Sequence, residues 1–375
     1  MRVGILGAGQ LGRMLALAAH PLGLEVLKLA RDPSEPACAV APHRLCAWDD
    51  REGLARFASE LDVCTFEFEN VPADAAASVA AQVPMYPSPE ALRIGSDRLE
   101  EKTLFRALDI DTAPFAAVSS QAELEYALAE VGLPALLKTR RLGYDGKGQR
   151  LLRTRADVAG AFDALGGVDC IVEGFVRFDR EVSLVAVRDT RGEMVFYPLV
   201  ENHHEEGVLR LTLAPAPGLE GCSLQARAET YARSLMERFG YVGALALELF
   251  VAGDALLANE IAPRVHNSGH WTIEGAVTSQ FENHVRAIAG LPLGATDPLG
   301  FSAMVNLLGA MPERSAILAL PDTHLHDYAK SARAGRKVGH VTIRAQSVAR
   351  RDELAARVGE LAAAATATLR AGAEG

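Results

Sequence analysis

Cysteine is scarce in this chain. There are five in 375 residues, Cys38, Cys46, Cys64, Cys170 and Cys222, and no two stand at CxxC spacing. That excludes a disulfide framework and a cysteine-based zinc site, and fits reduced thiols in a cytoplasmic protein. Long apolar runs are also missing: none approaches the ~20 residues needed to span a bilayer. A signal peptide is not expected, because Met1 leads straight into the strand-like Val3-Gly4-Ile5-Leu6. Positive charge is in deficit, with 38 Lys and Arg against 48 Asp and Glu for a net charge of −10. This argues against a general nucleic-acid binder but leaves room for a local basic pocket. Internal repeats and long low-complexity linkers are absent too. What remains is 49% hydrophobic and 23% charged, the composition of a soluble globular protein, in a chain too long for one ordinary core.

Polar groups are densest at Asn259-Glu260-Ile261-Ala262-Pro263-Arg264-Val265-His266-Asn267-Ser268-Gly269-His270-Trp271. Buried without partners, each such group would cost ~1–3 kcal/mol, so the stretch reads as the lining of a site. Before it come two strand-like runs, 244–251 and 255–260, joined at Ala252-Gly253-Asp254. A three-residue loop sets Val251 opposite Ala255 and makes Glu260 the diagonal same-face neighbour of Glu248, roughly 7–8 Å away. A two-residue loop puts the two carboxylates on opposite faces. Paired carboxylates and an amide on one sheet face suit Mg²⁺, which takes hard oxygen ligands and substrate phosphates. The alternative is an ordinary hairpin with one buried and one solvated glutamate.

The N-terminal strand runs into Gly7-Ala8-Gly9-Gln10-Leu11-Gly12, a GxGxxG turn opening a helix. Such a turn lets backbone approach a phosphate at the helix N-terminus. The next strand, 25–30, ends at Asp32, twenty residues past Gly12, where a nicotinamide-dependent enzyme places its ribose-binding acid. A dehydrogenase reading therefore passes two tests. Glu67 and Glu69 lie at the carboxyl end of a further strand, 62–66, where ligands bind in open α/β sheets; a helix-start preference for acids explains them equally well.

Gly143-Tyr144-Asp145-Gly146-Lys147-Gly148-Gln149, with Lys138, Arg140 and Arg141 close by, describes a lid carrying positive charge. Phosphate needs backbone donors and cations that can close over it. This is not a Walker A loop, because a strand-like run follows Gln149 instead of a helix. His203 and His204 lack a third ligand at metal spacing and read as a polar loop. Helices are expected at 226–239 and 279–289, and the alanine-rich 352–371 reads as structural. Lys330 and the run 335–340 form a second cationic cluster punctuated by glycine.

Taken together, GxGQLGRM at 7–14, GYDGKGQ at 143–149, NEIAPRVHNSGHWT at 259–272 and GRKVGH at 335–340 resemble the ATP-grasp enzymes. Within them the match is to the N5-carboxyaminoimidazole ribonucleotide synthetase family, over nearly the whole chain. The resemblance implies an α/β and α+β chain with an ATP-grasp fold. A Rossmann-like lobe would span 1–93, the two grasp halves 94–295 with a lid at 139–150, and a small C-terminal β-rich lobe 296–375. It implies ATP- and bicarbonate-dependent carboxylation of 5-aminoimidazole ribonucleotide through carboxyphosphate, in a cytoplasmic homodimer that contacts neither nucleic acid nor membrane.

By the same resemblance, ATP is held by Arg98, Lys138, the lid residues Gly143, Tyr144, Asp145, Gly146, Lys147, Gly148 and Gln149, the segment Glu173, Gly174, Phe175 and Val176, and Glu181, His204, Asn259 and Glu260. Glu248 and Glu260 take Mg²⁺. Gln10, Leu11, Glu67, Arg264, Asn267, Lys330, Arg336 and Lys337 bind the ribonucleotide and carboxyphosphate. Tyr144, Asp145, Lys147, Arg264 and His270 are the catalytic candidates, with His270 a proton carrier or a structural histidine. Two rivals stand beside this reading, a formate-dependent glycinamide ribonucleotide transformylase of the same fold and the dehydrogenase. A third, a non-catalytic nucleotide sensor, would bind ATP without turnover.

Overall fold

A computed structural model describes residues 1–143, 148–219 and 221–373. The first lobe is a parallel four-stranded sheet. Its strands are β1 (Arg2–Leu6), β2 (Glu25–Ala30), β3 (His43–Leu45) and β4 (Val63–Phe66), in the order β3-β2-β1-β4. Helix α1 (Gln10–Ala19) crosses from β1 to β2. The expected boundary near residue 93 falls inside a helix, Pro89–Gly95. The chain breaks instead at Ser96-Asp97, where Asp97 caps the helix Arg98–Ala107 by accepting from the amides of Leu99 and Glu100.

The second sheet is antiparallel, in the order β5-β8-β6-β7, from β5 (Phe115–Val118), β6 (Ala135–Thr139), β7 (Gln149–Leu152) and β8 (Cys170–Gly174). The third sheet has nine strands: β9 (Arg180–Arg188), β10 (Met194–Phe196), β11 (Val200–Glu205), β12 (Val208–Ala214), β13 (Gly243–Ala252), β14 (Ala255–Ala262), β15 (Phe301–Leu308), β16 (Thr323–Asp327) and β17 (Lys337–Ala345). They run in the order β14-β13-β9-β11-β12-β15-β17-β16, with β10 on β9. The C-terminal region is β-rich as expected, but its strands extend the central sheet through the β12–β15 pairing.

Side-chain alternation gives this sheet two faces. Val182, Leu184 and Ala186 of β9, with Leu245, Leu247 and Leu249 of β13, pack under the helix Ser223–Phe239. That helix buries Leu224, Ala228, Tyr231, Ala232, Leu235, Met236 and Phe239, an i, i+4, i+7 stripe in which each large side chain contributes ~1.5–3 kcal/mol. On the opposite face Val185, Val187, Ala244, Ala246 and Met304 meet Trp271 and the helix Gln280–Ile288. The same face carries the polar residues of the site at its open end.

Candidate functional site

The glutamate hairpin turns on two residues, Gly253 at φ +58 and Asp254, with Ala252 opposite Ala255 and Val251 opposite Leu256. The three-residue loop is therefore corrected. A regular ladder from this turn would send Glu260 to the far face, yet Glu248 and Glu260 stand directly opposite each other. The register shifts between Glu248 and Leu249, so Asn259 is an extra residue, a β-bulge that returns Glu260 to the face of Glu248.

Both carboxylates are partly buried. Burial, and after it the charge on Glu248, pushes the Glu260 carboxyl above its usual range. Burial opposes ionisation of Glu248 as well, but His266, whose Nε2 lies 3.0 Å from Glu248 Oε1, holds it below the usual range, helped by His204 and Arg264. A third carboxyl stands behind them. Glu101 accepts from the Ile261 amide at 2.6 Å and is pushed up to about 8 by burial and then by Glu260. Three carboxyl groups thus crowd at the end of a sheet, and burial with like charge raises two of them, Glu101 and Glu260.

Cations gather on the second sheet and on the helix Arg98–Ala107. Glu173 lies between Lys138 (3.2 Å) and Lys102 (3.5 Å), both as ion pairs, while Glu173 Oε1 has no hydrogen-bond partner among the described residues. Lys102 also donates to Thr112 Oγ1 and the Ala258 carbonyl, each at 3.1 Å, tying the helix Arg98–Ala107 to β14. Arg98 donates to the carbonyls of Thr139 and Gly143 at 2.9 and 2.8 Å, fixing the near end of the lid segment. The expected lid cations Arg140 and Arg141 both pair with buried Asp97 instead, so they are anchors. The amides of Gly174 and Phe175 already donate to the carbonyls of Pro114 and Pro134. Phe175 is itself half-exposed, and Phe178 stacks on Phe250 with centroids 4.6 Å apart.

Tyr144, Asp145, Gly146 and Lys147 lie outside the described residues. Gly148 follows at φ +70, where a Cβ would meet Thr139 Oγ1 at 2.7 Å, and Gln149 pairs with Lys138. His203 and His204 belong to β11 rather than a polar loop, because a bulge between them fits both into the ladder. His204 Nδ1 lies 2.8 Å from Glu181 Oε2. Burial disfavours its cation, but Glu181 outweighs that and raises its pKa.

The glycine turn departs from the phosphate reading. The Gly12 amide donates to Glu67 Oε2 at 2.6 Å and the Gly9 amide donates to Oε1, so one carboxylate fills the cradle. A Cβ at Gly7, Gly9 or Gly12 would come within 2.6, 2.7 and 2.9 Å of Glu67. The glycines make room for an internal anion, which also removes the dinucleotide reading; Asp32 merely accepts from the Ser34 amide at 2.8 Å in its own exposed turn. Burial pushes the Glu67 carboxyl up, against those two amides.

Lys330 donates to Gln10, and burial lowers its pKa to about 8 while Glu67 supports the charge. Leu11 packs at the margin of the adjoining core. Arg264 pairs with Glu69, which against the effect of burial it lowers to about 2, and this contact joins the first lobe to the segment that follows β14. Asn267 keeps a buried amide nitrogen without a partner among the described residues. Arg336 donates to Ser331 Oγ at 2.7 Å, and Lys337 opens β17 beside it. His270 lies behind this lining: it is buried, its ring is tilted against His340 with centroids 4.8 Å apart, and it is pushed well below its usual pKa, first by burial and then by neighbouring charges.

Sequence reading missed Lys102, Glu101 and His266. The first two sit in a Glu-Glu-Lys run that looks like an ordinary solvated helix start, and only the β14 contact buries them. His266 stood in the singled-out stretch, but its pairing with Glu248 depends on the bulge. A cavity of about 590 Å³ between α1 and β2 is lined by none of these residues.

The fold thus holds a partly buried acidic pair within reach of the charges of Arg98 and Lys138, and a cross-lobe contact between Gln10 and Lys330. Known protein families match this chain region by region. Residues 1–96 match the ribonucleotide synthetase preATP-grasp domain, 103–281 the ATP-grasp domain, and 302–354 the phosphoribosylaminoimidazole carboxylase C-terminal domain. The N5-carboxyaminoimidazole ribonucleotide synthase of Pseudomonas aeruginosa is 54% identical over 97% of this chain and 99% of its own. The crystal structure of the Thermus thermophilus synthetase superposes with a TM-score of 0.92 at 54% identity, covering 96% of this chain and 98% of that one. An Aspergillus clavatus synthase solved with ADP and 5-aminoimidazole ribonucleotide superposes at 0.86, with 31% identity over 96% of this chain and 97% of its own.

Proposed function

Because the chain belongs to the N5-carboxyaminoimidazole ribonucleotide synthase family, we propose that it carboxylates 5-aminoimidazole ribonucleotide with ATP and bicarbonate, releasing ADP and phosphate by way of carboxyphosphate. The carrying observation is the bulge that sets Glu248 opposite Glu260, facing Lys138 and Arg98. Hard carboxylate oxygens, with the Glu260 carboxyl raised by burial and then by Glu248, fit Mg²⁺, which when bound would neutralise the phosphates and favour the charged form of Glu260.

In this reading Lys138 and Arg98 orient the phosphates, Glu181 and His204 meet the sugar edge, and the segment Glu173, Gly174, Phe175 and Val176 meets the base. A bicarbonate oxygen attacks the γ-phosphorus and ADP leaves. The carboxyphosphate C–O bond then breaks, phosphate departs, and the amine nitrogen bonds to the carbon as it gives up a proton. Arg264, held straight by Glu69, and Asn267, with its free amide, are placed to hold the carboxyphosphate. Lys330 and Gln10 support the ribonucleotide with Arg336 and Lys337. The lid residues Tyr144, Asp145 and Lys147 act on closure, which keeps water from the intermediate. Among the described residues no helix is long and apolar enough to cross a membrane. A cytoplasmic homodimer goes with this reading.

The test is ADP release from MgATP and bicarbonate, with and without 5-aminoimidazole ribonucleotide. Strong stimulation with formation of an acid-labile carbamate is expected. Stimulation only by formate with glycinamide ribonucleotide would transfer the chain to the transformylase reaction, and binding without turnover to a sensor.

A further inference from the structure

A chain of buried side chains leads away from Glu248 across the sheet. His266 Nε2 lies 3.0 Å from Glu248 Oε1, and His266 Nδ1 lies 2.9 Å from Ser268 Oγ. Ser268 Oγ meets Ser183 Oγ at 2.7 Å, Ser183 Oγ meets Asn202 Nδ2 at 2.9 Å, and Asn202 Oδ1 meets Thr212 Oγ1 at 2.9 Å. Ser183, Thr212 and Ser268 are fully buried and Asn202 is 6% exposed, so solvent supplies none of these bonds. We propose that Thr212, Asn202, Ser183 and Ser268 form a one-way hydrogen-bond relay that fixes His266 as the Nε2–H tautomer donating to Glu248, making them positioning residues for the acidic pair. This rests on the reading of Glu248 and Glu260 as the metal site.

The direction follows from one group that cannot rotate. The backbone N–H of Ser268 donates to His266 Nδ1 at 3.3 Å, so Nδ1 presents a lone pair. The neutral ring then carries its proton on Nε2, toward Glu248. With Nδ1 an acceptor, the Ser268 hydroxyl gives it its single proton and must accept from Ser183. Ser183, its proton spent, must accept from Asn202, which only the NH₂ end of the amide can satisfy. The carbonyl end of Asn202 is left to accept from Thr212. Each link has one proton and one direction, and reversing any link would set two donors or two lone pairs face to face. A carboxylate that must hold a cation with one oxygen gains from a donor fixed on the other.

The experiment labels the metal-free chain with [¹⁵N]histidine and reads the two-bond ¹H–¹⁵N pattern at a pH where the ring is neutral, with His266→Gln assigning the signal. The expected wild-type pattern has unprotonated Nδ1 and protonated Nε2; the opposite tautomer overturns the relay without any variant. Asn202→Asp offers acceptors at both ends, so Ser183 turns its proton to the new carboxylate and Ser268 loses its donor. Among the described residues the 3.3 Å backbone N–H of Ser268 is then the one donor left to Nδ1, so the share of the Nε2–H tautomer should fall and ADP release should drop about tenfold or more, while Thr212→Ser, which keeps the donor, stays near wild type. An unchanged tautomer in a folded Asn202→Asp protein overturns the relay. A changed tautomer with unchanged ADP release leaves the relay standing and overturns the metal-site reading of Glu248.

Discussion

The glutamate hairpin and the glycine turn are both built to meet charge, and they end in opposite conditions. At the hairpin Glu248, Glu260 and Glu101 crowd together, and burial followed by like charge raises both Glu260 and Glu101. At the turn the amides of Gly9 and Gly12, which would welcome a phosphate, already hold Glu67. An unbalanced charge cluster marks a place for something from outside. A balanced one marks architecture, however familiar its sequence pattern. The difference comes from where each second partner originates: Glu67 arrives from the end of β4 and satisfies the turn, whereas β13 and β14 bring two groups of like sign together.

The largest test of that contrast is Glu260→Gln. Turnover should fall by about 10²-fold or more, because the site loses the charge meant for its cation, while the fold persists. The metal-free variant should melt at a higher temperature than the wild type, since a like-charge repulsion is gone. Wild-type turnover, or a lower melting temperature, would break the contrast.

At the turn the effects should run through stability. Gly9→Ala drives a Cβ to 2.7 Å of Glu67 Oε1 and should cost a few kcal/mol, on the order of other overpacking changes. Glu67→Gln leaves one amide facing an NH₂ group and should cost ~1–3 kcal/mol in denaturant unfolding. Neither variant should gain affinity for a dinucleotide; tight binding by Glu67→Gln would show that the cradle was merely blocked.

The smallest effect is a pH slope. Glu101 ionises near 4.5 when unfolded but at about 8 in the fold. Between these values the folded state holds a proton that the unfolded state has released, so stability falls as pH rises across that window and levels off above it. Thermal melts of metal-free protein should follow this trend, and Glu101→Gln should flatten it. A wild-type slope retained in Glu101→Gln would assign the trend to other groups.

Much of this was legible in order along the chain. The strand 25–30 and the helix before the hairpin were readable because alternation and i, i+4 spacing are local signals. The stretch 259–271 announced a site because so many polar groups cannot be buried cheaply. Other features had no local signal. Arg140 and Arg141 looked like free lid cations until Asp97 was seen to hold both. His270 and His266 are four residues apart with equal chemistry, and only packing sends one behind the lining and the other to Glu248.

The sequence by itself determined most of the element types, the Glu248–Glu260 pair as an acidic candidate, and the family to which the chain belongs, since residue chemistry and short-range periodicity are written directly in it. The tertiary structure alone decided which charges are spent and which are open. One bulged residue, Asn259, sets the face of Glu260; one carboxylate, Glu67, closes a turn that looked open; and one sheet runs through what looked like two lobes. Each depends on a partner far away in the chain, and neither charge balance nor register exists until that partner arrives.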